Sequence, residues 1–132
     1  MDTRCTYLFV YGTLLDDGND YAMLLKNNSS YVASGSFKGR LYNIGPYPGA
    51  VYDNRAGASV FGYIIKMQND DKLLLMLDEY EGYGEKESQP NEFIREIVPV
   101  TTAAGGTICC WVYLYNLPAI PYRQIRSGYY KK

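Results

Sequence analysis

Residues 59–82 read SVFGYIIKMQNDDKLLLMLDEYEG, and two periodicities meet within them. From Ser59 to Met67 the residues are aromatic or aliphatic with little polar interruption, which predicts a strand. Asn69 or Asp70 then caps a helix. Leu73, Leu74, Leu77 and Tyr80 share one face at a 3.6-residue period, so the helix runs from about Asp71 to Tyr80 and closes at Gly82. Asp78 and Glu79 fall on the other sides, as a solvated face requires. Glu81 lies four residues after Leu77 and continues the apolar stripe at the C-terminal end of the helix. Lost hydration and the negative end of the helix dipole both raise a carboxyl pKa there. Glu81 is therefore the candidate general acid/base near neutral pH. The same pattern allows a Glu81 that swings out to solvent past Gly82.

Outward from this stretch the chain reads as many short strands and two helices. A strand from Thr6 to Tyr11 halts at Gly12, and Asp20 caps a short helix through Leu25. Tyr31 to Tyr42 alternates loosely around Gly35 and Gly39, which predicts a bent strand. Two prolines make Gly45 to Gly49 a rigid turn before a short strand from Ala50 to Tyr52. Glu92 to Val100 and Gly106 to Tyr115 form a hairpin across Gly105-Gly106, and the chain is irregular after Leu117-Pro118. This is an α+β pattern, and glycine-punctuated strands of this kind curl into a barrel or roll. At 132 residues the expectation is one domain over 1–132.

Composition narrows the chemistry. The chain has no histidine, which removes Ser-His-Asp and Cys-His catalysis and His-ligated metal sites. Acid–base work then falls to a carboxylate, Lys, Tyr or Cys with a shifted pKa. Cys5 stands alone, and the adjacent Cys109 and Cys110 point to opposite faces of a strand, so neither a metal nor a disulfide framework is expected. Thirteen Lys plus Arg against fourteen Asp plus Glu leave a net charge of −1, which calls for neither nucleic acid nor an anionic membrane. No basic region precedes an apolar stretch at the N-terminus, and no apolar run approaches the roughly 20 residues of a membrane span, so a cytoplasmic location is expected.

Tyr11-Gly12-Thr13-Leu14-Leu15 leaves the first strand at a glycine and heads towards a helix. Successive N–H groups in such a turn form a concave anion site, although a plain strand-to-helix turn reads the same way. Val10-Tyr11-Gly12-Thr13-Leu14, Gly39-Arg40-Leu41-Tyr42, Tyr47-Pro48-Gly49, Gly62-Tyr63 and Leu77-Asp78-Glu79-Tyr80-Glu81-Gly82 follow in order. This ordered set resembles the γ-glutamylcyclotransferase-like, or AIG2-like, family, and within it the short γ-glutamylamine cyclotransferase branch with its YGTL loop. The resemblance runs from about Tyr7 to Val112, with an echo from Ile125 to Tyr129.

It implies a small mixed or antiparallel β-barrel flanked by short helices, with a cavity between the first loop and the helix end. It also implies an enzyme for γ-glutamyl amides that uses no cofactor or metal. The substrate's own α-amine attacks its γ-carbonyl, closing 5-oxoproline and expelling a free amine. By the same resemblance Glu81 is the acid/base, and the backbone of Tyr11, Gly12, Thr13 and Leu14 holds the substrate α-carboxylate. Tyr113 matches a further pocket position, and Arg40, Tyr47 and Phe93 are additional pocket candidates. Phe93-Ile94-Arg95 departs from a family Tyr-x-Arg pattern, removing one hydroxyl. The alternative on the same fold is a non-catalytic module that binds γ-glutamyl compounds.

Overall fold

The computed structural model describes residues 5–12, 20–45, 47–68 and 70–130. Its elements in chain order are β1 (Tyr7–Val10), α1 (Asp20–Asn27), β2 (Ser29–Asn43), β3 (Pro48–Tyr52) and β4 (Ser59–Met67). Then follow α2 (Asp70–Glu81), β5 (Phe93–Thr102), β6 (Thr107–Tyr115) and β7 (Arg123–Gln124). β2 pairs β4, β4 pairs β1, β1 pairs β6, β6 pairs β5, and β5 returns to β2 through Gly35↔Thr102 and Ser36↔Thr101. These five strands close a mixed barrel, with β1 and β6 parallel and the other pairs antiparallel. The expected α+β barrel is therefore the fold.

β2 makes closure possible. Its first ten residues, to Lys38, pair β4 with a bulge at Val32, while Gly39–Asn43 run on to pair β3. β7 lies along Tyr42 and Asn43 from the other side, in the segment that the sequence reads as irregular. Two residues are too few to show a period. The backbones crowd where β4 meets β1. A Cβ on Gly62 would lie 2.2 Å from the Val10 carbonyl oxygen, so only glycine fits there.

Side chains alternate between two cores. Phe9 and Tyr11 point into the barrel with Phe37, Leu41, Val60, Ile64, Val100 and Val112. Leu8 and Val10 point outward against Leu25 of α1 and Leu73, Leu74 and Leu77 of α2. β1 is thus apolar on both faces, which is why it reads as a continuous run rather than an alternation. Cys109 is exposed and Cys110 buried, as a strand places neighbours.

Candidate active site

The C-terminal turn of α2 sets the position of its last carboxylate. Gly82 adopts φ +72°, its N–H donates to the Glu79 carbonyl at 3.3 Å, and the Tyr83 N–H donates to the Asp78 carbonyl at 2.9 Å. These two bonds form a Schellman cap, which stops the helix at Glu81. The side chain stays on the apolar stripe, as the spacing from Leu77 predicts, and lines a cavity of about 250 Å³. The opposite wall is Tyr11 and Gly12 at the end of β1, with Tyr47 and Pro48 entering β3 and Glu92 and Phe93 entering β5. Tyr113 of β6 completes it.

Burial pushes the Glu81 carboxyl up to about 8, with further contributions from the negative charges of Glu92 and Asp78. A carboxyl in that range exchanges a proton near neutral pH, the property a general acid/base needs. Among the described residues, the cavity lining contains no Lys or Arg. Anionic substrate groups there must therefore be held by neutral donors, such as backbone N–H groups.

The tyrosines are committed to one another and to the frame. Tyr11 donates its hydroxyl to the Tyr113 carbonyl and accepts the Ala50 N–H at 3.2 Å, so it offers the cavity mainly its ring. Burial first, and then the Glu81 charge, raise its pKa far above the phenol range. Tyr47 donates to the Glu92 carboxylate, and its pKa is raised by burial and by that bond. Tyr113 donates to Asp78 Oδ1 at 2.7 Å. The Phe93 ring is buried, its centroid 5.8 Å from that of Tyr47 and 5.6 Å from that of Tyr115, so it is both core and cavity wall.

The structure thus brings Glu81, Tyr11, Gly12, Tyr47, Phe93 and Tyr113 to one cavity. Thr13 and Leu14 lie outside the described residues. Arg40 is a correction: it does not line the cavity but pairs with Asp53 at 3.0 Å on the outside of β2. A second correction concerns Asp78, expected on a solvated side. Its carboxylate receives Arg95 Nε at 2.8 Å and Nη2 at 3.0 Å as well as the Tyr113 hydroxyl. The signal was present, because Asp78 follows the buried Leu74 by four residues and faces the sheet with it. Glu92 was also missed, although it immediately precedes Phe93.

A larger hollow of about 530 Å³ also borders Tyr11, and among the described residues its lining is aromatic, hydroxyl and small side chains with no Asp, Glu, Lys or Arg. The smaller cavity, which has carboxylates in its wall, is the better reaction site.

A closed mixed barrel whose flanking helix delivers one half-buried carboxylate to a cavity defines the class of protein. The model of the family described as gamma-glutamyl cyclotransferase, AIG2-like, matches residues 8–132, and the chain belongs to that family. A comparison with curated protein sequences finds no match. Among solved structures, YtfP from Escherichia coli is 28% identical with a TM-score of 0.65, the match covering 94% of this chain and 95% of that one. An AIG2-like protein from Mus musculus is 23% identical, TM-score 0.69, over 96% of this chain and 88% of that one. YkqA from Bacillus subtilis is 23% identical with a TM-score of 0.70; the match covers 96% of this chain but spans only 40% of that one. The likenesses at 23% identity are likenesses of fold. Among the described residues, no helix is long and apolar enough to cross a membrane.

Proposed function

We propose that this protein is a γ-glutamylamine cyclotransferase that converts a γ-glutamyl amide into 5-oxoproline and a free amine, with Glu81 as general acid/base. The observation that carries the reading is the carboxyl of Glu81, capped onto the cavity wall and held up to about 8.

The chemistry asks for one such group. A substrate α-ammonium cannot attack until it loses a proton, which the Glu81 carboxylate accepts. The freed amine attacks the γ-carbonyl of the same molecule, forming the new C–N bond of a five-membered ring. Glu81 then returns that proton to the departing nitrogen as the original C–N bond breaks, and it relays the second proton of the ring nitrogen to the released amine, which leaves as an ammonium ion beside the neutral lactam. Ring closure is intramolecular, so the cavity contributes chiefly by holding the chain folded with amine against carbonyl. In this reading the backbone from Tyr11 to Leu14 holds the α-carboxylate, in keeping with a cavity lining that has no cation among the described residues. The rings of Tyr11, Tyr47 and Phe93 enclose the rest.

The test is mass-spectrometric detection of 5-oxoproline from a panel of γ-glutamyl amines and dipeptides, with Glu81→Gln beside the parent. The variant is expected to lose about 10²–10⁴-fold in turnover while keeping its fold. For the parent, kcat/KM is expected to rise with pH through about 8 as Glu81 ionises. Turnover by Glu81→Gln at the parent rate would remove Glu81 from the mechanism. Phe93, which brings no hydroxyl to the wall, favours one other reading, a module that binds γ-glutamyl compounds without cleaving them. That reading is distinguished by a raised melting temperature with γ-glutamyl ligands and no 5-oxoproline.

A further inference from the structure

On the side of α2 away from the cavity, Arg95 of β5 meets Asp78 in a two-point ion pair, Nε to Oδ1 at 2.8 Å and Nη2 to Oδ2 at 3.0 Å. The side chains are only 17% and 15% exposed, so this is not a solvated surface contact. The guanidinium lies over the Trp111 ring at 4.3 Å and near the Tyr83 ring at 5.8 Å, and the Trp111 indole N–H donates to the Cys5 carbonyl at 3.1 Å. The pair therefore joins α2, the turn after it, β5 and β6.

One link runs from this pair to the cavity. Tyr113 donates to the Asp78 oxygen that Arg95 Nε also reaches, and its own carbonyl accepts the Tyr11 hydroxyl. Tyr11 and Tyr113 both line the cavity, whereas Asp78 and Arg95 do not. Asp78 stands three residues before Glu81, close to one helical turn away.

We propose that Asp78 and Arg95 are a positioning pair that fixes the end of α2 over the cavity and balances the charge against which Glu81 works. The part it plays in turnover rests on the cyclotransferase reading; the charge coupling does not. A two-point Arg–carboxylate contact fixes orientation as well as distance, which a single bond from Tyr113 would not. It also holds a positive charge beside the α2 carboxylate whose charge acts on Glu81. Among the described residues, the other ionisable groups lining the cavity with Glu81 are Glu92 ahead of β5, Tyr47 ahead of β3, Tyr11 after β1, Tyr113 of β6 and Tyr80 of α2. None of these is a cation, and Arg95 reaches the site through Asp78, the carboxylate it shares with Tyr113.

The two halves of the pair then have opposite effects on Glu81, whereas a merely structural pair would damage the site in the same way from either side. The Glu81 carboxyl is titrated directly by ¹³C NMR, its resonance identified by its absence from Glu81→Gln. In Asp78→Asn, which keeps an acceptor for Tyr113, the midpoint is expected to fall by about one pH unit. In Arg95→Gln, which leaves Asp78 without its counter-ion, the midpoint is expected to rise by a similar amount, and the double variant to lie between the two. Displacement of both single variants in one direction, or of neither, would overturn the proposal. If Arg95→Gln does not fold, Asp78→Asn decides alone, and an unmoved midpoint there is sufficient to reject it. The titration needs no substrate, so a parent that forms no 5-oxoproline would sink the cyclotransferase reading and leave the coupling standing. With an active parent, the acid limb of kcat/KM follows the same displacements.

Discussion

The inside of the barrel and the face covered by α1 and α2 are built from the same strands and carry opposite chemistry. Inward from β1 the buried cluster is Phe9, Phe37, Leu41, Val60, Ile64, Val98, Val100 and their neighbours, and among the described residues the buried polar side chains, Asp70 and Asn91, lie on α2 and ahead of β5. Outward from β1, behind a comparable layer of leucines, lie Glu81, Asp78, Arg95 and Glu92. The difference follows from what each side can satisfy. A closed barrel pairs the backbone groups of its strands and fills its interior with apolar side chains, so a charge buried among them would stand unpaired. A helix laid across a sheet leaves its end at a rim, where a carboxylate is desolvated enough to shift its pKa and still reaches a ligand. Both sides of β1 are packed cores, the carboxylates lie on the helix side, and Tyr11 of the barrel cluster reaches the cavity wall between them.

The sharpest way to break this comparison is to remove equal apolar volume from each side. Ile64→Ala inside the barrel and Leu77→Ala on α2 both truncate side chains with no exposed surface. Each is expected to cost about 2–5 kcal/mol, read as a fall in urea midpoint with an unchanged slope. They should part in activity. The folded fraction of Ile64→Ala keeps its turnover, while Leu77→Ala, one turn before Glu81, lowers kcat because the carboxylate loses its seat. Equal loss of kcat in both variants would mean that the barrel interior is not separate from the site.

A smaller effect, on the helix side alone, appears with pH. The Glu81 carboxyl rises from 4.5 to about 8 on folding, so the folded chain binds that proton more tightly than the unfolded chain does. Its contribution to stability is fully present below about 4.5 and is lost as the pH rises through about 8. Glu81→Gln cannot ionise and escapes the loss. The variant is expected to match the parent near pH 4.5 and to exceed it in stability on the order of 2 kcal/mol above pH 8, a figure reduced for partial solvation. Parallel melting curves for the two proteins from pH 5 to 9 would show that Glu81 ionises in the folded protein as it does in the unfolded one.

Much of this division is legible before any coordinates. The run from Ser59 to Met67 is the strand observed, the leucine stripe ends on Glu81, and Gly82 caps the helix as its position predicts. These are short-range patterns, carried by period and by backbone freedom. Barrel closure is not of that kind. It depends on Gly35 and Ser36 of β2 meeting Thr102 and Thr101 of β5, a contact across about half of the chain that no local window contains. The Asp78–Arg95 pair is hidden for the same reason, since the partner that draws the half-buried Asp78 out of solvent arrives from another element 17 positions later. Read in isolation, an Asp among helix polar residues looks solvated.

Arg40 tests the outer limit of the comparison. It is an attractive residue on sequence grounds, a cation on a strand next to a motif, and a cation would suit a substrate carboxylate. The fold places it where β2 has left the barrel, paired with Asp53 across β3, and the side chains of the two are 39% and 34% exposed. The Asp53 carboxyl is held below its ordinary range, chiefly by the Arg55 N–H and then by Arg40, so this carboxylate has a second partner when Arg40 is removed. Exposed pairs of this kind are screened by water and salt and gain little. Arg40→Met is therefore expected to leave both the melting temperature and the KM for γ-glutamyl amides unchanged. A raised KM at unaltered stability would bring Arg40 back to the substrate and extend the site around the rim towards β3.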